Sequence, residues 1–184
     1  MIYLNDDIAG FDWQAALPQL SEQRREQCLK FKHELGRKTC AAVYLLLREG
    51  LLKEYGITEP PVFEYGEHGK PYIANHPDIH FNMSHCKQAA ICVISDRPVG
   101  VDVESIRPYQ DSLVRYTMND QEVERILKAE NRDVEFTRLW TMKEALQKLS
   151  GEGITNQLKD VLKGGKTYKT VINEKKSYIF SVVQ

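Results

Sequence analysis

The sequence predicts an α+β fold, because each half of its 184 residues combines helical patterns with short strand-like runs that turn residues separate. In the first half, residues 20–55 are predicted to be largely helical, and their apolar stretch at 41–52 should lie in the core. Pro60 and Pro61 end this helical pattern. Four strand-like runs follow, at residues 62–65, 71–74, 79–82 and 89–95.

The Asp96-Arg97-Pro98 segment is the best candidate for a boundary, which would divide the chain into residues 1–98 and 99–184. Beyond it the patterns predict a strand at 99–104, helices at 119–129 and 133–149, and two or three strands that end at residue 183. The sequence contains no clear internal repeat, and the composition equally allows one continuous domain.

Composition excludes several classes of protein. The chain is 42% hydrophobic and 28% charged, as is ordinary for a globular protein. Its formal charge of −1 argues against nucleic-acid binding driven by global charge. No basic leader and no segment of membrane-spanning length occurs, so we expect a cytoplasmic protein that does not bind membranes. No C-x-x-C pair is present, which favours reduced structural thiols for the four cysteines, Cys28, Cys40, Cys86 and Cys92.

The segment Gly100-Val101-Asp102-Val103-Glu104 carries the strongest chemical signal. Its alternation has the period of a strand, so Val101 and Val103 should share one face while the two carboxylates project from the other, about 7 Å apart. Two hard oxygen ligands on one rigid face suit Mg²⁺, which completes its octahedron with water and substrate phosphate. The alternative is a half-buried strand with a solvated polar face.

A third carboxylate, Glu144, lies on a predicted helix. The apolar residues of this helix recur at helical spacing and form a stripe that comprises Phe136, Leu139, Met142, Leu146 and Leu149. Glu144 and Lys148 stand four residues apart, which also describes an ordinary surface pair. Lys143 falls near the edge of the apolar stripe, where an ammonium group needs a carboxylate or phosphate partner.

Four motifs in order resemble the 4'-phosphopantetheinyl transferases, specifically the longer surfactin-type branch. G-[IV]-D-[IV]-E is found at residues 100–104, and W-x-x-K-E-[AS]-x-x-K at residues 140–148 without a mismatch. Upstream, F-N-x-S-H is found at residues 81–85 and a G-K-P turn at residues 69–71. Each motif is weak or moderate alone, but the four together in the family's order and spacing are specific.

The resemblance implies a fold of two similar α/β halves related by a pseudo-two-fold axis, with the active site in the cleft between them. It implies transfer of the 4'-phosphopantetheine group of coenzyme A to a serine of an apo acyl or peptidyl carrier protein, with release of adenosine 3',5'-bisphosphate. It also implies Mg²⁺ as cofactor. A monomer is expected, since two halves in one chain can build the cleft that shorter relatives assemble between subunits.

Site residues follow from the same resemblance. It assigns Asp102, Glu104 and Glu144 to the metal, Glu144 or a metal-bound water oriented by it to the base, and Lys148 to the diphosphate, with Lys143 orienting the acids. The positions that match coenzyme A contacts in the family are Arg24, Thr39, Lys70, Pro71, Ser84, His85, Lys143 and Lys148. Gln27 replaces a basic residue of many relatives, and Lys30, Arg37 or Lys38 are candidates to compensate. Cys86 replaces a serine.

Two other functions fit parts of the pattern. One is a degenerate, non-catalytic module that binds coenzyme A or carrier protein, and the other is an unrelated Mg²⁺-dependent phosphohydrolase. For the transferase, the carrier would be a small acidic helical bundle. Residues 109–118 combine Leu113, Val114, Tyr116 and Met118 with Arg115, so they are predicted either to dock this carrier or to belong to the core.

Overall fold

The computed structural model describes residues 1–151 and 158–184, and its fold is α+β, as the sequence predicts. In chain order the elements are β1 (Ile2–Asn5), α1 (Trp13–Ala16), α2 (Glu22–Lys30), α3 (Glu34–Tyr55), β2 (Phe63–Tyr65), β3 (Pro71–Ile73), β4 (His80–His85), β5 (Ala90–Ser95), β6 (Gly100–Ser105), α4 (Asp111–Thr117), α5 (Asp120–Lys128), α6 (Arg132–Ser150), β7 (Tyr168–Asn173) and β8 (Tyr178–Val183). Among the described residues, no helix has both the length and the apolar character needed to cross a bilayer.

The helical stretch predicted at residues 20–55 is two helices. The backbone is extended at Phe31, where α2 ends, and at His33, which precedes α3. Three elements were not predicted: β1, α1 and α4, which have four, four and seven residues. Elements this short complete few periods. Strands β2 and β3 are shorter still, but they were predicted because proline and glycine residues mark their limits in the sequence.

Two three-stranded antiparallel sheets, each with a long helix packed on it, form the framework. The first sheet has the order β1-β5-β4 and packs against α3, and the second has the order β6-β8-β7 and packs against α6. Strands β2 and β3 form a separate antiparallel hairpin. The C-terminal strands are therefore two, at the lower end of the predicted range.

Strand β4 of the first sheet lies beside β6 of the second, and the two sheets share a core. Ile91 and Val93 of β5 belong to the same buried cluster as Val101 and Val103 of β6 and Phe180 of β8. This cluster crosses the boundary predicted at residue 98. The division into residues 1–98 and 99–184 stays a prediction, and any such halves are held together by a continuous hydrophobic interior.

Candidate active site

Strand β6 presents two carboxylates on the face opposite its buried valines. Val101 and Val103 are 0% and 1% exposed, and they pack into the core that the two sheets share. Asp102 on the other face is 4% exposed, and Glu104 is half-buried. The polar face of this strand is therefore not solvated, because other elements cover its acidic side.

Helix α6 covers this acidic side, and Gly100 is the reason it can approach so closely. A Cβ atom at Gly100 would lie 2.0 Å from the carbonyl oxygen of Ala145 and 2.7 Å from the amide nitrogen of Leu149. Only glycine allows that contact without displacing the helix. The Asn131 side chain caps the start of α6, and Gly151 ends the helix with a φ of 76°.

Two side chains from other segments, Ser84 and Lys148, meet at Asp102. The Lys148 ammonium donates to Asp102 Oδ1 at 2.7 Å and to Ser84 Oγ at 2.9 Å. The Ser84 hydroxyl in turn donates to Asp102 Oδ1 at 2.9 Å, while it accepts from the Val103 amide at 3.2 Å. Ser84 of β4, Asp102 of β6 and Lys148 of α6 thus form one connected network. All of the hydrogen-bonding capacity of the Ser84 hydroxyl is engaged within it.

Glu104 and Glu144 lie close enough to Asp102 for its negative charge to raise their pKa. Burial and the Asp102 carboxylate raise the pKa of Glu104, and contacts to Arg107 and Trp140 oppose the shift. Burial, Asp102 and Glu104 raise the pKa of Glu144, with Lys148 opposing. The site therefore gathers more negative charge than Lys148 and Arg107 neutralise.

The chemistry of these oxygens fits a divalent cation. Asp102 Oδ2 and Glu144 Oε1 are buried and have no hydrogen-bond partner in the described part of the chain. Within residues 1–151 and 158–184, however, no three His, Cys, Asp or Glu side chains are arranged as an assembled metal site. Mg²⁺ needs only one or two carboxylates when substrate phosphate and water supply its other ligands, so both observations agree with a site that is completed on substrate binding.

Two cavities follow one another along α6. The one beside its last turns, which we call the Gln147 cavity, has a volume of about 280 Å³ and is lined by His68, Lys70, Pro71, Met83, Gln147 and Lys148, among others. The other, the Trp140 cavity, has a volume of about 250 Å³ and is bounded by Glu104, Arg107, Leu113, Phe136 and Trp140. Glu144 lines the first cavity and Glu104 the second, so the carboxylate site lies between the two.

A third cavity, the His85 cavity, lies beside the end of β4. It has a volume of about 370 Å³, and its polar lining consists of Lys32, His33, Thr39, His85 and Lys87. The His85 side chain is accessible at its mouth, yet desolvation by the surrounding protein and the charge of Lys148 lower its pKa. Such a cluster of cationic and hydroxyl donors suits a phosphate group.

Arg24, and two of the residues predicted to compensate for Gln27, contact other parts of the protein rather than the His85 cavity. The Arg24 guanidinium lies 5.3 Å from the ring centroid of Tyr44 and 5.4 Å from that of Phe63, and it donates to Gln27 Oε1 at 3.1 Å. Arg37 donates to the Phe31 carbonyl, and Lys38 donates to the Ala9 carbonyl. Lys32 and Lys87, which the sequence analysis did not select, are the lysines that line the His85 cavity instead.

Lys143 is separated from the other predicted site residues. Its side chain is 0% exposed, and its ammonium contacts Glu122 Oε2 at 2.8 Å and the carbonyls of Leu158 and Lys159 at 2.8 and 3.0 Å. Burial lowers its pKa and the Glu122 carboxylate opposes the shift. The predicted need for a carboxylate partner is thus met by Glu122 of α5, and in this arrangement Lys143 contacts neither Asp102 nor Glu144.

Lys70 and Thr39 also contact the protein itself. The Lys70 ammonium donates to the Leu149 carbonyl of α6 at 2.8 Å, and burial lowers its pKa. Thr39 Oγ1 donates to the Leu35 carbonyl at 3.0 Å. Lys70 still lines the Gln147 cavity with Pro71, and Thr39 still lines the His85 cavity, so each remains beside a space where a ligand could bind.

Sequence reasoning did not identify Asn82 and Gln147 as functional. The Asn82 carboxamide oxygen accepts from the Val101 amide at 3.0 Å, which joins β4 to β6. Asn82 stands inside the F-N-x-S-H motif, so a signal for it was available. Gln147 occupies a variable position of the motif at residues 140–148, and nothing in the local sequence sets it apart.

Comparison with known proteins gives one consistent family. Residues 98–181 match the model of the 4'-phosphopantetheinyl transferase superfamily. The 4'-phosphopantetheinyl transferase Sfp of Bacillus subtilis is 28% identical over 158 residues, which cover 84% of this chain and 70% of that protein. The 4'-phosphopantetheinyl transferase psf-1 of Bacillus pumilus is 30% identical over 155 residues, covering 83% of this chain and 66% of that protein.

Proposed function

Because the chain belongs to the surfactin-type branch of the 4'-phosphopantetheinyl transferase superfamily, we propose that it transfers the 4'-phosphopantetheine group of coenzyme A to a serine of an apo carrier protein. One observation carries the proposal: Lys148 contacts both Asp102 and Ser84. Three of the family's motifs therefore meet at one point in space. A chance occurrence of the motifs in an unrelated protein would not require such a meeting.

The reaction is a displacement at phosphorus. A bond forms between the serine oxygen and the phosphorus that bears the pantetheine, and the bond from that phosphorus to the oxygen of adenosine 3',5'-bisphosphate breaks. The serine proton leaves to a base. In such reactions the protein mainly positions the groups and neutralises charge.

Asp102, Glu104 and Glu144 would hold the Mg²⁺ ion. When bound, the cation would offset charge on the diphosphate as a Lewis acid. The buried, unpartnered oxygens of Asp102 and Glu144 support this assignment. Glu144 is also the proposed base, because it lines the Gln147 cavity together with Lys148, the residue that would hold the diphosphate.

Lys148 would move from the protein's own acid to the substrate. Its ammonium lies 2.7 Å from Asp102 Oδ1. A diphosphate offers it more negative charge than a single carboxylate does. Transfer of Lys148 to the diphosphate would leave Asp102 free to hold the cation, so both changes accompany coenzyme A binding.

The cavities suit the two ends of coenzyme A. The diphosphate would lie at Lys148, between the Gln147 cavity and the Trp140 cavity, and the cationic donors of the His85 cavity would hold the 3'-phosphate. We propose His85 and Thr39 for this contact, with Lys32 and Lys87 supplying the charge that Gln27 does not. Arg24 would join them only after leaving Tyr44 and Phe63.

The test is incubation of the purified protein with Mg²⁺, coenzyme A and an apo carrier protein, followed by mass spectrometry of the carrier. We expect a gain of one phosphopantetheine group on the carrier serine, and none in a Ser→Ala carrier. Coenzyme A cleavage without carrier would indicate a phosphohydrolase. Binding without transfer would indicate a degenerate module.

We further propose a monomer that acts in the cytoplasm, which sedimentation and cell fractionation would test.

A further inference from the structure

Gln147 holds a buried carboxamide that makes no hydrogen bond within the part of the chain that the structure describes. Its side chain is 6% exposed, and neither Oε1 nor Nε2 has a hydrogen-bond partner among residues 1–151 and 158–184. A buried amide without hydrogen bonds lowers the stability of the folded protein. An apolar residue at this position would not have this disadvantage. The presence of a carboxamide therefore indicates a ligand that supplies the missing hydrogen bonds.

The position of Gln147 indicates where such a ligand would bind. It lies one turn from Glu144 on α6 and adjacent to Lys148, and all three line the Gln147 cavity. Pro71 and Met83 contribute apolar surface to the same cavity, and Lys70 contributes a cation. The cavity thus combines apolar surface, positive charge and one unpartnered carboxamide.

We propose that Gln147 reads the adenine of coenzyme A, with its carboxamide accepting from the 6-amino group and donating to an adjacent ring nitrogen. This inference rests on the proposed function. A carboxamide pairs with adenine in this bidentate way because both present one donor beside one acceptor. The flat base would lie against the apolar surfaces of Pro71 and Met83.

Pantetheine also contains amides, but the charges favour the nucleotide at Gln147. The nucleotide carries charge on both sides, because its diphosphate would lie at Lys148 and its 3'-phosphate in the His85 cavity, and Lys70 adds a further cation to the Gln147 cavity. The Trp140 cavity on the other side of the carboxylates contains Glu104 with Arg107 and is otherwise bounded by Leu113, Phe136 and Trp140. The uncharged pantetheine arm suits the second cavity, and the nucleotide suits the first.

The experiment compares three ligands on one variant by calorimetry. The ligands are coenzyme A, adenosine 3',5'-bisphosphate, and the matching bisphosphate of purine riboside, which lacks the 6-amino group. For the parent protein we expect the adenine nucleotide to bind about tenfold or more tightly than the purine nucleotide. For Gln147→Met we expect the two to bind equally, with coenzyme A weakened by the same factor as adenosine 3',5'-bisphosphate.

Gln121→Met, on the exposed face of α5, is the matched control and should keep the adenine preference. Should Gln147→Met fail to fold, Gln147→Asn keeps the carboxamide but withdraws it by one methylene, and it should lose the preference in the same way. An adenine preference that persists in folded Gln147 variants would overturn the inference. Weaker coenzyme A binding with unchanged bisphosphate binding would also overturn it, because the carboxamide would then contact pantetheine.

These outcomes are separable from failure of the proposed function. A parent protein that binds none of the three ligands would refute the transferase proposal itself. A parent protein that binds coenzyme A and transfers its phosphopantetheine, but shows no adenine preference, would refute only the role of Gln147.

Discussion

The polar side chains of the site differ in whether other residues of the protein already meet their hydrogen-bonding capacity or leave it for a ligand. Lys143 is fully engaged by Glu122 and two carbonyls, whereas Asp102 Oδ2, Glu144 Oε1 and both polar atoms of Gln147 have no partner among the described residues. Since buried polar atoms are normally paired, the unpartnered ones mark where a ligand or ion would be held.

The carboxylates give the first prediction. Asp102→Asn, Glu104→Gln and Glu144→Gln each remove one negative charge and keep the size of the side chain. We expect each to lower kcat/KM for transfer by about 10²-fold or more, because electrostatic contacts to the reacting phosphate carry most of this catalysis. Carrier modification at saturating Mg²⁺, followed by mass spectrometry, measures the loss.

Two controls accompany these variants. Glu124→Gln changes an exposed carboxylate that pairs with Lys128, so it should leave transfer unchanged. Binding of Mg²⁺ in the presence of coenzyme A, measured by calorimetry, should weaken in the three site variants. Near-normal turnover of Asp102→Asn would refute the metal assignment.

His85 gives the second prediction. His85→Ala should raise the KM for coenzyme A about tenfold and change kcat little, because a contact to the remote 3'-phosphate binds the ground state and transition state alike. Dephospho-coenzyme A, which lacks this phosphate, should be a poorer substrate for the parent protein and should be much less sensitive to the substitution. Steady-state kinetics with both substrates tests this, and equal losses on both would contradict it.

The pKa of His85 gives this prediction a pH dependence. Desolvation and Lys148 lower the pKa, so the unliganded imidazole is neutral at neutral pH. A bound phosphate favours the protonated form, so binding should raise the pKa and take up a proton. Coenzyme A affinity should therefore increase as the pH falls towards 6, and His85→Ala should remove this part of the increase.

At the level of secondary structure, the segment at residues 109–118, which contains helix α4, was predicted either to dock the carrier protein or to belong to the core. Val114 and Met118 are core residues, at 0% and 1% exposed, whereas Leu113 and Tyr116 are 39% and 78% exposed. The segment is therefore both core and surface. Its exposed side includes Arg115, which pairs with Asp111 at 2.7 Å, and Leu113 also borders the Trp140 cavity.

This surface gives the third prediction. Arg115→Glu should slow association with an acidic carrier protein and reduce the salt dependence of the rate, because charges at the rim of an interface act mainly through steering. Coenzyme A affinity should not change. Lys128→Glu, an exposed charge on α5, is the matched control. Unchanged carrier kinetics for Arg115→Glu at low salt would remove α4 from the docking surface.

At the scale of the whole molecule, the two sheets are joined by side chains rather than by a continuous backbone ladder. Strands β4 and β6 lie side by side, but they belong to different sheets. Asn82 and Ser84 of β4 accept hydrogen bonds from the backbone amides of Val101 and Val103 in β6. These two contacts connect β4 to β6, and we call this connection between the two sheets the joint. The active site is assembled beside it.

The joint gives the fourth prediction. Asn82→Leu leaves the buried amide of Val101 without an acceptor, so we expect it to lower the free energy of unfolding by about 1–3 kcal/mol. Urea denaturation measures the change. Gln23→Leu, at an exposed position of α2, should change the free energy by less than about 0.5 kcal/mol. A loss of similar size in both variants would mean that the Asn82 contact does not stabilise the joint.

The local features of this protein could be predicted from its sequence. The alternation at residues 100–104 predicted a strand with valines on one face and acids on the other, and the structure confirms it. The apolar stripe at residues 136–149 predicted the helix that carries Glu144 and Lys148. Strand and helix periods are properties of neighbouring residues, so they can be read without knowing what packs against them. The resemblance to the family came separately, from four motifs in the family's order and spacing, and the comparisons support it.

The tertiary structure decided which side chains meet. The partners of Lys148 and Lys143 lie 46 and 21 positions away along the chain, in Asp102 and Glu122, and the Arg24 guanidinium lies over the ring of Phe63. Such contacts depend on how α6, α5 and the β2-β3 hairpin pack, and no local period encodes them. The lack of a hydrogen-bond partner for the Gln147 carboxamide among the described residues has the same origin, because it depends on every element packed around this side chain.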